Sequence, residues 1–243
     1  MVDEKDYEGI YQSYYKKDFA DWDFKKKIEY NNNEIRVKAK YIFFQQTYDY
    51  LVENGVNGDY YEFGCHKART FRMSLSEARK KELSNMRFFA FDSFEGLPEA
   101  SEIDRFPGWE AGKLKTSEEF FDKLIEEHGV YVDNVIKVKG FFRDSLDENL
   151  AARLSGEGSK VSLAYIDCDF YESTVPVLEF ILPFLQEGAV IAFDDWNNFK
   201  ASPDKGERRA FREFCKKYKE KVFFEEFLSF GWMGKSFTVH FYE

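Results

Sequence analysis

Ala164-Tyr165-Ile166-Asp167-Cys168-Asp169-Phe170-Tyr171-Glu172-Ser173-Thr174 carries an apolar run straight into carboxylates. The run starts at Val161, and its composition predicts a buried strand over Val161–Ile166. One crossover later the pattern returns as Ala189-Val190-Ile191-Ala192-Phe193 followed by Asp194-Asp195. Open parallel sheets bind ligands in the crevice at the carboxyl ends of their strands. Two neighbouring strands that both end in aspartate would therefore deliver several carboxylates to one edge. Like charges gather there cheaply only if a cation, a proton or arginines compensate them.

Working outward, strand and helix patterns alternate from Asp59 onward, which predicts a mostly parallel sheet with crossover helices. Tyr60–Gly64 reads as the first strand, followed by a helix over Ala68–Leu83; Arg87–Phe91 is the second strand, ending in Asp92. A long connection from Ser93 to Lys115 follows, and loops of that length in compact domains usually carry function. Thr116 or Ser117, with Glu118 and Glu119 behind it, starts a helix that runs to His128-Gly129. Then come a strand over Val135–Gly140, a helix over Ser145–Leu154, the opening strand, a helix over Ser173–Leu185 and a strand over Gly188–Phe193. A helix over Gly206–Tyr218 and two apolar runs, Val222–Phe227 and Lys235–Tyr242, predict a closing antiparallel pair.

Ahead of the sheet, residues 1–34 form an N-terminal arm rich in aromatics (Tyr7, Tyr11, Tyr14, Tyr15, Phe19, Trp22, Phe24), and Ile35–Val52 reads as a helix. The arm either covers the site or joins a homodimer or higher homo-oligomer; residues 35–243 make up the main domain.

Composition narrows the function. The 243 residues suit one α/β domain, and 35 Lys plus Arg against 45 Asp plus Glu give a net charge of −10, which argues against nucleic-acid binding. No apolar run reaches the roughly 18–20 residues that span a bilayer, and the first residues lack a signal-peptide core, so no membrane association is expected. Cys65, Cys168 and Cys215 have neither disulfide nor zinc spacing and read as reduced thiols of a cytoplasmic protein.

Gly64, at the first strand's end, would let a ligand approach the backbone closely, and the next helix start offers free N–H groups. No G-x-G-x-x-G is present, which disfavours a dinucleotide. Asp92 ends the second strand, where an acid can accept from both hydroxyls of a ribose. His66, His128 and His240 read as structural, Trp109 as a residue of the long loop that packs or closes over a substrate, and the Lys205–Lys221 basic run as a solvated helix face.

Five segments in order carry a closer resemblance: Glu62-Phe63-Gly64; Phe91-Asp92-Ser93-Phe94-Glu95-Gly96-Leu97-Pro98; Lys139-Gly140-Phe141-Phe142-Arg143-Asp144-Ser145-Leu146; Ile166-Asp167-Cys168-Asp169-Phe170-Tyr171-Glu172-Ser173-Thr174; and Asp194-Asp195. Together they resemble the macrocin O-methyltransferase family, which methylates sugar hydroxyls of natural products with S-adenosylmethionine and a divalent metal, usually Mg2+. The resemblance implies a class I methyltransferase-like, doubly wound α/β fold of seven strands, mostly parallel with an antiparallel C-terminal strand. It implies a metal at Asp167, Asp194 and Asp195 and a general base at Asp169. Glu62, Phe63, Gly64 and Cys65 match the methionine end of the cofactor site, Asp92 and Ser93 its ribose, and Gly140, Phe141, Phe142, Asp144 and Ser145 its adenine surround, with Asp167 also bordering the cofactor. Ala68-Arg69 stands where the family usually has two glycines, and Cys168 where it usually has one. The expected substrate is a glycosylated or sugar small molecule. A catechol-like diol would suit the same carboxylates, and a module that binds an adenosyl ligand without turnover is the reading from another class.

Overall fold

The computed structural model describes residues 21–31, 36–105 and 109–242. A short helix α1 (Phe24–Asn31) precedes α2 (Lys38–Glu53), and the alternating part follows: β1 (Asp59–Phe63), α3 (Arg69–Lys80), β2 (Phe88–Asp92), α4 (Glu118–His128), β3 (Val135–Lys139), α5 (Phe142–Ser145), α6 (Glu148–Gly156), β4 (Val161–Ile166), α7 (Tyr171–Ile181), β5 (Leu185–Phe193), α8 (Gly206–Tyr218), β6 (Val222–Phe230) and β7 (Gly234–Phe241). The seven strands lie in the order β3-β2-β1-β4-β5-β7-β6. The first five are parallel, while β7 is antiparallel to both of its neighbours. This is the expected doubly wound sheet with its reversed strand near the C-terminal edge. Most of the N-terminal arm lies outside the described residues. Among the described residues no helix is long and apolar enough to cross a membrane.

Side chains alternate across the sheet with the strand period of two, and each face has its own core. Tyr61, Phe63, Phe91, Ala164, Ile166, Ile191 and Phe193 pack against residues of α6, α7 and α8. Tyr60, Phe88, Ala90, Leu163, Tyr165, Val190 and Ala192 pack against α2, α3 and α4. All six residues of β4 are buried, as its unbroken apolar run requires of a central parallel strand.

Local chemistry sets the helix ends. Ser117 caps α4 by accepting from the Phe120 N–H at 3.3 Å, and Gly129, at φ +66°, ends it. The helix expected over Ser145–Leu154 is two pieces, because the Asp147 side chain accepts from the Leu150 N–H at 2.8 Å and starts α6 afresh. The helix expected to reach Leu185 stops at Ile181. Pro183 falls in a tight turn over Leu182–Phe184, and β5 starts at once with Leu185.

Candidate active site

Register brings the acids together. Phe63 pairs with Ile166, and Ile166 with Phe193, so the next residues on three adjacent strands, Gly64, Asp167 and Asp194, stand side by side. The ladder extends one step past the strands: the Asp167 N–H donates to the Phe63 carbonyl at 2.8 Å and the Asp194 N–H to that of Ile166 at 2.9 Å. Oxygens of Asp167, Asp194 and Asp195 all lie within 4.8 Å of one another. Gly64 has φ +88°, and a Cβ there would lie 2.0 Å from the Asp167 carbonyl oxygen, so glycine is needed for both reasons.

Four further groups hold this cluster. The Tyr165 hydroxyl donates to Asp194 Oδ1 at 2.5 Å, and the Lys40 ammonium donates to Asp194 Oδ2 at 2.6 Å. Lys40 comes from α2, its side chain only 16% exposed. Asn198 donates to Asp195 Oδ1. Glu207, fully buried in the first turn of α8, accepts from the Cys168 N–H at 3.1 Å on one oxygen and from the Asp195 N–H at 2.9 Å on the other. One side chain thus ties the loop after β4 to the loop after β5, and Cys168 is fixed through its backbone.

Burial, followed by the repulsion of neighbouring acids, pushes Asp167, Asp195, Asp169 and Glu207 well above the usual carboxylate range. Asp169 is buried, sits at φ +61°, and lies in a three-residue turn closed by the Phe170 N–H on the Cys168 carbonyl at 2.6 Å. A non-glycine residue in this region costs of order 1–3 kcal/mol, and such strain concentrates at functional sites.

A cavity of about 410 Å³ opens beside the acids, within the range of small-molecule sites. Its wall includes Gly64, Asp92, Ser93, Gly140, Phe141, Phe142, Asp144, Asp167 and Asp169 of the expected site residues. Asp92 accepts from the Cys65 N–H at 2.6 Å and from the Phe94 N–H at 2.7 Å, which fixes its carboxylate at the rim. Glu62, Phe63, Cys65 and Ser145 stand behind the wall instead. Phe63 stacks on Phe91 with centroids 4.4 Å apart, and the Ser145 hydroxyl donates to the Gly140 and Phe141 carbonyls. Glu62 is wholly buried, accepting from the Tyr60 hydroxyl and, at 2.7 Å, from that of Thr70. Asp194 and Asp195 lie beyond the wall on the α2 and α8 side.

The long connection after β2 forms the outer wall through Leu97, Pro98, Glu99, Ala100 and Ser101. Asp104, fully buried, fastens it. Its carboxylate accepts from the Gly206 N–H at 2.9 Å and from the Tyr171 N–H, so it caps the starts of α7 and α8 together. Trp109 meets Phe170 and Phe199 edge-on, with centroids 5.7 Å and 5.3 Å away. His66 Nδ1 lies 2.6 Å from the Leu114 carbonyl, a backbone-satisfied loop histidine. Arg208 donates to the Ala201 carbonyl and Arg209 to Glu213. Lys40, Glu207 and Asp104 carry no local sequence signal for these roles: the first two look like polar helix positions, the third like an ordinary loop acid.

The sequence matches the Macrocin-O-methyltransferase (TylF) family over residues 37–223. A curated relative, the 8-demethyl-8-(2,3-dimethoxy-alpha-L-rhamnosyl)-tetracenomycin-C 4'-O-methyltransferase of Streptomyces olivaceus, is 28% identical over 158 residues. That alignment covers 63% of this chain and 58% of the relative, so the chain spans less than two thirds of the relative's length. The fold is similar to that of the O-methyltransferase NovP, with a TM-score of 0.66 at 19% identity, over 82% of this chain and 79% of that one. It is also similar to CalS11, a calicheamicin methyltransferase, with a TM-score of 0.64 at 24% identity, over 82% and 77%. An O-methyltransferase from Bacillus cereus in complex with SAH aligns with a TM-score of 0.51 at 17% identity, over 83% and 80%. With more than half of its length matched, from α2 into β6, the chain belongs to the macrocin-O-methyltransferase family.

Proposed function

We propose that the protein transfers the methyl group of S-adenosylmethionine to a hydroxyl of a sugar or glycosylated small molecule. The observation that carries this reading is that the rim acid Asp92, the close-approach glycine Gly64 and the acids Asp167 and Asp169 all face one cavity. The family match and the similarity to an enzyme named for a rhamnosyl substrate support a sugar acceptor.

A bound divalent cation, Mg2+ above all, fits the donor set of Asp167, Asp194 and Asp195: three hard carboxylates whose oxygens lie within 4.8 Å and whose mutual repulsion calls for positive charge. When bound it would supply Lewis acidity and a template for a vicinal diol. S-adenosylmethionine would supply a methyl group already activated by its sulfonium.

The chain's own residues do the rest. Asp92 accepts from the ribose hydroxyls while its other contacts hold it still. Gly64 admits the methionine end, Ser93 lies beside the ribose, and Gly140, Phe141, Phe142 and Asp144 surround the adenine. Glu62, Phe63, Cys65 and Ser145 support that wall from behind. Asp169, next to the acceptor position, takes the proton of the attacking hydroxyl; burial and then the neighbouring Asp167 raise its affinity for a proton. The loop pinned by Asp104 excludes water and orients the acceptor, and orientation can contribute up to about 7–11 kcal/mol to such a transfer.

The test is incubation with S-adenosylmethionine, Mg2+ and parallel panels of deoxyhexosyl glycosides and catechols, read by mass spectrometry. Addition of one methyl group to a glycoside sugar is the expected result. Methylation of catechols alone would replace the sugar assignment.

A further inference from the structure

Both carboxylate oxygens of Asp194 already accept a hydrogen bond: Tyr165 donates to Oδ1 and Lys40 to Oδ2. Lys40 is therefore not a solvated lysine of an amphipathic helix. It points inward from α2, and the fields of Asp194, Asp167 and Asp195 all favour its charge against the cost of its burial. The three acids lie within 4.8 Å of one another, and Lys40 supplies a single positive charge against them. A dication entering among these oxygens meets an ammonium already seated on one of them.

We propose that Lys40 is the exchangeable counter-cation of the acid cluster. It neutralises Asp194 while the centre is metal-free and yields Asp194 Oδ2 when a divalent cation binds. This rests on the reading of Asp167, Asp194 and Asp195 as a cation site. The exchange has two consequences. Divalent-cation affinity is held down by the ammonium that must be displaced. The freed ammonium also leaves its seat on Asp194 Oδ2, so loading the centre releases the side-chain link between α2 and the end of β5.

The experiment is calorimetric titration of Mg2+, without cofactor or substrate, into the wild type, Lys40→Met and Lys40→Gln at pH 8, where protons compete least for the acids. Both variants are expected to bind Mg2+ at least tenfold more tightly than the wild type. In EDTA they should melt at a lower temperature and gain more from added Mg2+. A measurement that needs no variant accompanies it: pulse acetylation of the wild type with peptide-level quantification, in which Mg2+ should raise the labelling of Lys40 several-fold. Unchanged or weaker Mg2+ binding by both variants, or Lys40 labelling that Mg2+ leaves unchanged, overturns the exchange while leaving the cation site intact. Absence of Mg2+ binding by the wild type and both variants overturns the cation site and the exchange together.

Discussion

Glu62→Gln should stabilise the protein, and increasingly so as pH rises. Glu62 is completely buried, and burial raises its carboxyl from the ordinary 4.5 to about 8. Between these values the folded protein keeps a proton that the unfolded chain has released. Stability contributed by this group is therefore full below about pH 4.5 and is lost as pH rises toward 8. At about 1.36 kcal/mol per pH unit, the loss reaches about 5 kcal/mol across the whole window and about 4 between pH 5 and 8. Glutamine has the same shape, does not titrate, and can still hydrogen-bond both Tyr60 and Thr70. The assay is denaturant unfolding of both proteins in EDTA at pH 5, 6.5 and 8. The variant's advantage should widen by several kcal/mol over that range. An advantage that stays constant with pH, or a variant less stable at pH 8, would refute the reasoning. Because Glu62 lies behind the cavity wall, S-adenosylhomocysteine affinity of the variant is expected within about threefold of wild type, less than the cost of losing one typical hydrogen bond.

Asp194→Asn should abolish the Mg2+-dependent rise in melting temperature and lower turnover roughly a hundredfold or more, with S-adenosylhomocysteine affinity preserved, as calorimetry and initial rates would show. Asp92→Ala should do the reverse: the S-adenosylhomocysteine dissociation constant rises by about tenfold or more, since a charged hydrogen bond contributes about 1.5–3 kcal/mol, while Mg2+ still stabilises the protein. Glu207→Gln can no longer accept from both Cys168 and Asp195. Leaving one amide unpaired costs about 1–3 kcal/mol, and Mg2+ affinity should fall more than cofactor affinity, measured on the same samples. Asp104→Asn, which weakens the cap on two helix starts, should raise the KM of the acceptor more than that of S-adenosylmethionine and speed proteolysis near residues 93–115.

The sheet was legible because its signals are local. Val161–Ile166 is apolar at every position and stops at an acid, and the same grammar repeats at Phe193, so the strand ends and the meeting of Asp167 with Asp194 and Asp195 could be anticipated before any coordinates. Where boundaries moved, one residue explains each: Asp147 restarts a helix, and Pro183 ends one early and lets β5 start at Leu185. The supporting residues were not legible. Lys40 occupies a helix position that looks solvated, and nothing near it in sequence shows that α2 crosses the sheet beside Asp194. Glu207 sits in a strongly charged helix start, where an acid is expected for the dipole alone, and its real partners are amides from two other loops. Asp104 is one acid among several in a long connection. Such roles come from contacts between residues far apart in the chain, which periodicity and spacing do not record. The resemblance, by contrast, pointed to Glu62 and Cys65 as cofactor neighbours, and the fold sets them one layer deeper.

Calorimetry of the wild-type protein with S-adenosylhomocysteine, with and without saturating Mg2+, tests the central claim most directly. One saturable site per chain is expected in both conditions, weakened about tenfold or more in Asp92→Ala and retained in Asp194→Asn. No heat of binding at high protein concentration, with Mg2+ present, would contradict the assignment of this cavity to a methyl donor.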